Sequence, residues 1–115
     1  MKTILTAILI MFSLCTSCSK DNARGEDTIT YEVTAQSIVS DVAYTDADGS
    51  VTIEIIQISQ WNKTFKNTAG KPRVLTLSAT TRVSGNIIKC TIKVNGKVVK
   101  TDSGEISVFI TYNLN

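Results

Sequence analysis

The 115-residue sequence contains no histidine, a single proline (Pro72) and a single tryptophan (Trp61). Because no imidazole is present, the chain cannot form a Ser-His-Asp triad, a histidine-ligated zinc site or a histidine general base. Asp46 and Asp48 precede Gly49, but the frame of a calcium loop and its distal glutamate are missing. The composition therefore predicts a protein without enzymatic activity, cofactor or metal.

Long hydrophobic runs are also lacking. The apolar stretch at residues 4–14 is shorter than the roughly 20 residues that cross a bilayer as a helix. It follows Lys2 and precedes the small polar residues Thr16 and Ser17. A basic start, a short apolar region and small residues before a cleavage point are typical of a secretory signal peptide. We expect residues 1–17 to be removed as such a signal.

Two of the three cysteines, Cys15 and Cys18, have a C-x-x-C spacing at the end of this signal. A redox pair of this spacing requires a βαβ context and a helix N-terminus that lowers one thiol pKa, and neither is predicted here. The segment instead resembles a bacterial lipobox, in which a signal peptidase cuts before a cysteine that carries diacylglycerol and an acyl chain. That resemblance makes Cys18 the lipidated residue. Each buried CH₂ of its chains contributes about 0.8 kcal/mol to membrane anchoring.

The residues after the lipobox bear on where the anchor places the protein. Ser19 is not an aspartate, which in Gram-negative lipoproteins generally directs the protein to the outer membrane. The tract 19–22 also resembles lysine-acid signals for export to the cell surface, although a solvated polar tether accounts for the same residues. We expect an outer-membrane lipoprotein that faces either the periplasm or the cell exterior. The predicted segments are a signal peptide, a lipidated tether and one folded domain: residues 1–17, 18–27 and 28–115.

Charge of one sign does not dominate the mature chain. Removal of Lys2 with the signal leaves 11 basic and 10 acidic residues. A nearly neutral domain gives no electrostatic reason to expect nucleic-acid binding. The acidic residues concentrate before Gln60 and the basic residues after it, but a fold that interleaves early and late strands mixes them into an ordinary dipolar surface.

Hydrophobic periodicity is two almost throughout the mature chain, which is typical of strands with one buried face. Separate strands are predicted at 28–35 and 38–44, and a bulge near Ile55 and Ile56 would keep both apolar sets of the segment 51–58 inside. No segment has the periodicity of an amphipathic helix. About seven short strands at turn intervals of about ten residues predict an all-β fold, an antiparallel β-sandwich.

The clearest local signal is Asn95-Gly96, because both central residues of a type I′ hairpin turn take positive φ. Counting from this turn places Lys93 opposite Val98 on the outward face. The same count places Ile92 opposite Val99 on the inward face.

A second tight turn is predicted at Ser103-Gly104. That turn would direct Ile106 inward and place Phe109 outward beside Val98 and Lys93. Two apolar side chains are unusual on an exterior rich in threonine and lysine. Lys93, Val98 and Phe109 are therefore the candidate interface, with Phe109 as its anchor.

Three runs of residues resemble the MmpS-like family of small membrane-anchored proteins: 61–65, 75–79 and 85–99. The shared motifs are a tryptophan near a strand start, an Asn-Gly hairpin and a Ser-Gly turn. The resemblance implies an immunoglobulin-like β-sandwich, and some members of the family assist RND-type exporters of lipids and siderophores. Mycobacterial-type members have a transmembrane anchor where this chain has a lipobox, and some pair a second cysteine with the one that matches Cys90.

Four further side chains have a structural and a functional interpretation. Cys90 is expected to be a small buried residue with a raised thiol pKa. Trp61 is either an exposed ring on which a ligand stacks or a core residue that closes one end of the sandwich, and its shared phase with Phe65 favours the core. Glu32 and Glu54 are expected to be solvated outer-face carboxylates.

Two hypotheses for the function follow. The first is a non-enzymatic lipid-anchored accessory or binding module that contacts the membrane through Cys18 and engages another, unidentified envelope protein. The second is a surface-exposed lipoprotein that binds a host or matrix ligand. The sequence does not decide between them.

Overall fold

A computed structural model describes residues 27–67 and 72–114, which form six β-strands and no helix. The predicted signal peptide, Cys18 and most of the tether lie outside the described residues. Within the described ranges no helix has the length and apolar character that a membrane crossing requires. The strands are β1 (Thr28–Thr45), β2 (Val51–Lys66), β3 (Val74–Thr80), β4 (Ile87–Val94), β5 (Lys97–Glu105) and β6 (Ser107–Asn113).

Strand β1 is the central strand of the sheet, because it pairs with three other strands. One of its edges pairs with β2 along both halves of the strand. Its other edge is divided, since residues 29–35 pair with β4 and residues 41–44 pair with β3. The strand order is β5-β4-β1-β3-β6, with β2 added to β1. The all-β, antiparallel character predicted from the sequence is confirmed, and the sheet is nearly closed into a barrel.

The two strands predicted at 28–35 and 38–44 are one continuous strand that bends between them. The ring centroids of Tyr31 and Tyr44 lie 5.6 Å apart. Thirteen residues of a straight strand would separate them by about 43 Å. The Tyr31 hydroxyl also donates a hydrogen bond of 2.6 Å to the carbonyl oxygen of Thr45. The two halves of β1 therefore face each other across the core.

The bend in β1 is held by two buried polar side chains on a neighbouring loop. Asn86 Oδ1 accepts a hydrogen bond from the Ser37 backbone N–H at 2.9 Å. Asn86 Nδ2 and Thr81 Oγ1 both donate to the carbonyl oxygen of Ile38, at 3.1 and 2.7 Å. Since a buried backbone group without a partner is costly, these bonds allow the strand to bend inside the protein.

Strand β2 has an irregularity close to the predicted bulge, because its pairing with β1 shifts between Ile55 and Ile58. Gln57 lies within this shift and has a φ of 55°. The segment 51–55 pairs without a shift, so its residues alternate between the two faces of the sheet. Ile56 packs against the core, while Val51, Ile53 and Ile55 are 64%, 70% and 78% exposed. The expectation that both apolar sets lie inside is wrong.

The Asn95-Gly96 turn is confirmed, with φ of 54° and 81° at its two residues. Lys93 lies opposite Val98 as predicted. One step further the register shifts, and Ile92 lies opposite Lys100 rather than Val99. Val99 is thus the extra residue of a bulge, which the count from the turn could not anticipate.

The turn predicted at Ser103-Gly104 is wrong, because β5 continues through both residues to Glu105. The chain bends instead at Ile106, which has φ of 75° and is 45% exposed rather than inward. A Cβ on Gly104 would lie 3.1 Å from the carbonyl oxygen of Ser107. The glycine therefore serves the close approach of β5 and β6, not a tight turn.

The core is a single cluster to which all six strands contribute: β1, β3, β4 and β6 supply buried side chains, and β2 and β5 add partly buried ones. Cys90 is fully buried and is a free thiol, as its inward position in the predicted hairpin indicates. The fully buried members of the cluster are Ile29, Tyr31, Val33, Val39, Val42, Tyr44, Leu75, Leu77, Ala79, Ile88, Cys90, Ile92, Val108 and Ile110.

Candidate functional site

The three residues of the predicted interface do not form one patch. Lys93 and Val98 are direct cross-strand neighbours on β4 and β5, and Val98 is 51% exposed. Phe109 is exposed as predicted, at 67%, but its neighbour is Ser78 on β3. Strands β5 and β6 lie at opposite ends of the pairing order. The placement of Phe109 beside Val98 is therefore wrong.

The error arises where the chain leaves β5. A tight turn at Ser103-Gly104 would have paired β6 with β5. Instead the chain bends at Ile106, and β6 pairs with β3. The cross-strand row that contains Val98 crosses β1 at Thr30, and the row that contains Phe109 crosses it at Ala43. These two points belong to the two halves of β1, which fold over each other. Lys93 and Val98 thus lie on a different part of the sheet from Phe109.

Phe109 belongs to a row that runs straight across four strands. Ile53 pairs with Ala43, Ala43 with Ser78, and Ser78 with Phe109. Directly opposed residues of neighbouring strands point to the same side of a sheet. The row therefore has a large exposed apolar residue at each end, Ile53 at 70% and Phe109 at 67%, and two small residues between them.

This row is the middle of a face that we call the apolar face. Among its outward residues only Asp41 is charged, and the Asp41 carboxylate accepts a hydrogen bond from Thr80 Oγ1. The outward residues of the apolar face are Val51, Ile53 and Ile55 on β2, Asp41, Ala43 and Thr45 on β1, Val74, Thr76, Ser78 and Thr80 on β3, and Ser107, Phe109, Thr111 and Asn113 on β6.

The other outward face, over the first half of β1, is charged. The Lys93 ammonium lies 2.9 Å from a carboxylate oxygen of Glu32. Lys66 and Lys89 occupy outward positions of the same face, opposite Thr28 and Thr34. Glu32 is thus an outer-face carboxylate, as predicted. The charged face and the apolar face therefore differ in charge: the scarcity of charged residues is a property of the apolar face and not of the whole exterior.

Glu54 is not a solvated outer-face carboxylate, because it points to the core side of β2. It accepts a hydrogen bond from the Tyr44 hydroxyl and another, of 3.3 Å, from the indole N–H of Trp61. The Lys63 ammonium lies 4.0 Å from the same carboxylate and 5.9 Å from the Tyr44 ring centroid. These contacts tie the two halves of β2 together where the sheet is folded over.

Trp61 is partly buried and packs against the core. Its ring centroid lies 5.3 Å from that of Tyr44. It shares the inward side of β2 with Phe65, whose ring lies 5.6 Å from Tyr31. The core interpretation of Trp61 is therefore confirmed. The ring also lines an open groove of about 260 Å³ with Glu32 and Gln60, but Glu32 there is already paired with a lysine.

Three buried acids have raised pKa values, and one of them is Tyr31, whose pKa is raised chiefly by burial. Burial raises the pKa of the Cys90 thiol to about 12, with a smaller contribution from the Asp102 charge. Burial and the hydrogen bond to Glu54 raise the pKa of Tyr44 to about 12. A thiol with a raised pKa is a poor nucleophile at neutral pH, so Cys90 has the properties of a packing residue, as the sequence predicts.

The described part of the chain contains no group of three or more cysteine, aspartate or glutamate side chains that could hold a metal ion. The candidate site is instead the apolar face, on which Ile53, Ile55 and Phe109 are strongly exposed. Sequence reasoning included Phe109 in the candidate site but missed Ile53. The signal was present in the strict alternation of residues 51–55, which the assumed bulge turned inward. Comparison with models of known protein families and with curated proteins finds no match for this chain.

Proposed function

We propose that the chain is a non-enzymatic, lipid-anchored envelope protein whose domain binds another envelope protein through the apolar face. The observation that carries this proposal is the row from Ile53 to Phe109, with its two exposed ends and small uncharged middle. Exposed apolar side chains are common singly, but several large ones that share a face with a single charged residue, Asp41, make that face a candidate interaction site.

The proposed fold of the domain is an immunoglobulin-like β-sandwich. The division of β1 between β4 and β3 supports it, because each half of β1 then belongs to one of two layers. The ring contact of Tyr31 with Tyr44 across the core supports the same arrangement. Cys18 anchors this domain to the outer membrane, and the tether up to Asp27 separates the two. The resemblance to the MmpS-like family makes an RND-type exporter the first partner to test.

The proposed anchor of the interface is Phe109. Aromatic side chains at the centre of an interface contribute more to binding than the residues around them. Small neighbours such as Ser78 and Ala43 leave the Phe109 ring standing above the sheet, where a partner can surround it. A charge placed at this position would have to be desolvated on binding, which is costly.

The test uses a photo-crosslinking amino acid at Ser107, an exposed position two residues from Phe109 on the same face. Irradiation of intact cells should capture a partner with the parent chain. The additional substitution Phe109→Asp should abolish the capture and change the free energy of unfolding by no more than about 0.5 kcal/mol. Thr64→Asp, on the charged outward face, is the control and should leave the capture unchanged. Equal capture with and without Phe109→Asp would refute the proposed interface.

If the captured partner is a host or matrix protein rather than an envelope protein, the domain is a surface-exposed binding lipoprotein. Protease accessibility on intact cells distinguishes these cases before any partner is identified. A lipoprotein that faces the periplasm resists the protease until the outer membrane is permeabilised. One that faces the exterior is degraded at once.

A further inference from the structure

The first half of β2 is an unprotected edge of the sheet. It pairs with β1 on one side, and within residues 27–67 and 72–114 no strand pairs with its other side. Three outward residues on it, Val51, Ile53 and Ile55, are among the most exposed large apolar side chains of the described chain. An edge of this kind presents a row of free backbone N–H and C=O groups beside an apolar stripe.

Folded proteins usually protect such an edge with an outward lysine, a proline or an early bulge. None of these devices occurs in residues 51–55. The one charge there, on Glu54, points to the core side and accepts hydrogen bonds from Tyr44 and Trp61. The regular segment ends where the pairing with β1 shifts, between Ile55 and Ile58. An edge left open over five residues is suited to the addition of another strand.

We propose that the strand added here is the first half of β2 from a second copy of this chain, paired antiparallel about a two-fold axis at Ile53. This arrangement places Val51 opposite the second copy's Ile55, so that each outward residue of the two paired strands lies opposite an apolar residue. The first half of β2 itself alternates outward apolar residues with inward ones, which is the pattern that a strand added to this edge must have. A two-fold contact of this kind uses the same patch on both copies and closes at a dimer.

Charge fixes the register of this pairing. With the axis at Ile53, Glu54 lies opposite the second copy's Thr52, an uncharged residue whose hydroxyl donates a hydrogen bond to Asp46 within its own chain. With the axis at Glu54, two carboxylates would lie directly opposite each other, which is destabilising. With the axis at Ile55, the pairing would run into Gln57, where positive φ interrupts the strand. Of these three registers, the first pairs the full regular segments 51–55 of both copies without a repulsive pair.

The size of the contact sets its strength. Five residues of each copy, 51–55, extend over about 17 Å, and an interface of one strand pair falls below the area of a standard stable complex. The dimer is therefore weak in dilute solution. It also joins the apolar faces of the two copies into one surface across eight strands, with a Phe109 at each end.

Cysteine cross-linking in the full-length, membrane-anchored protein tests this register. Residues that pair across the axis have Cα atoms about 5 Å apart, within the range of a disulfide. Ile53→Cys should therefore form a disulfide-linked dimer under mild oxidation. Ile55→Cys alone should not, since its copies lie about 14 Å apart. Val51→Cys and Ile55→Cys, carried on two chains of different length, should link to each other when they are expressed together.

Wild-type protein supplies the background, because Cys90 is buried and its thiol is protected in the folded domain. Resistance to proteolysis confirms that each variant is folded. The three side chains that are replaced, Val51, Ile53 and Ile55, are all exposed. A dimer band with Ile53→Cys and with the mixed Val51→Cys and Ile55→Cys chains supports the proposal. Efficient linking of Ile55→Cys to itself, a ladder of larger species, or no linking in folded protein would overturn it.

Discussion

The side chain of Asn86 holds the backbone of Ser37 at the point where β1 bends, through a hydrogen bond of 2.9 Å from the Ser37 N–H to Asn86 Oδ1. Asn86 is only 2% exposed, and its amide also donates to the carbonyl oxygen of Ile38 and to Thr81 Oγ1, each at 3.1 Å. One side chain thus satisfies both kinds of backbone group at the bend. It is the residue on which the passage of β1 between the two parts of the sheet most directly depends.

Asn86→Ala should destabilise the domain by about 2 to 4 kcal/mol, because it leaves the buried N–H of Ser37 without a partner. Urea denaturation followed by tryptophan fluorescence of Trp61 measures the loss. Asn62→Ala, at an exposed outward position on β2, is the matched control and should change stability by no more than about 0.5 kcal/mol. Equal stability of the two variants would show that the bend does not need the Asn86 amide.

Alkaline pH should destabilise the domain in two steps. The pKa of Cys90 is raised from 9.0 to about 12, so above pH 9 the unfolded chain releases a proton that the folded chain keeps. The stabilisation from the neutral thiol is complete below pH 9 and is lost as the pH approaches 12. The free energy of unfolding should fall by about 1.4 kcal/mol per pH unit for each such group. Tyr44 adds its share between its ordinary value of 10.0 and about 12.

Two variants separate these steps in denaturation curves taken from pH 8 to 11. Cys90→Ala should remove the decline between pH 9 and 10, where the tyrosine does not yet titrate. Tyr44→Phe should keep that decline and reduce the slope above pH 10. A Cys90→Ala profile parallel to that of the wild type below pH 10 would contradict the assignment.

Gly96→Val should cost about 1 to 3 kcal/mol of stability, because a β-branched residue is strained at the φ of 81° that this position adopts. A Cβ at Gly96 has no atom within 4 Å, so the cost comes from the backbone and not from a clash. Thermal melting measures it. Lys97→Val, one residue later in β5, introduces the same side chain at an exposed strand position and should be tolerated. An unchanged melting midpoint for Gly96→Val would mean that the turn is more adaptable than its geometry indicates.

Cys18→Ala should block both lipid attachment and signal cleavage, since the lipobox resemblance assigns both to this residue. Labelling of cells with radioactive palmitate should mark the parent chain and leave the variant unmarked and larger. Cys15→Ala is the control, because Cys15 would leave with the signal and its loss should not affect labelling. Palmitate on the Cys18→Ala chain would refute the assignment of the anchor.

The strands of this fold could be located from sequence because their faces alternate. The inward positions Ile29, Tyr31 and Val33 are all fully buried, and the Asn95-Gly96 turn has the expected geometry. These features depend on local chemistry, namely the pleat of a strand and the tolerance of positive φ. Local chemistry does not specify which strands become neighbours.

The candidate site was harder to predict for that reason. The chain bends at Ile106, a non-glycine residue at positive φ, and the strand that follows the bend, β6, pairs with β3. Nothing in the sequence around Ile106 indicates a bend there. The assumption that a bulge near Ile55 and Ile56 turns both apolar sets of β2 inward hid the exposure of Ile53. The partnership of Ile53 with Phe109 spans four strands, so it could be recognised only after the order of the strands was known.

The position of β1 at the start of the domain affects how the domain folds. Strand β1 precedes β4 in the chain, and their pairing joins Ile29 to Val94, 65 residues later. Closing loops of this length costs entropy before any contact is gained, and folds dominated by such contacts take milliseconds to seconds to form. Until β4 has paired, the inward side of β1 has only part of its core partners. The folding chain therefore passes through a stage in which aromatic and β-branched side chains of β1 are open to solvent.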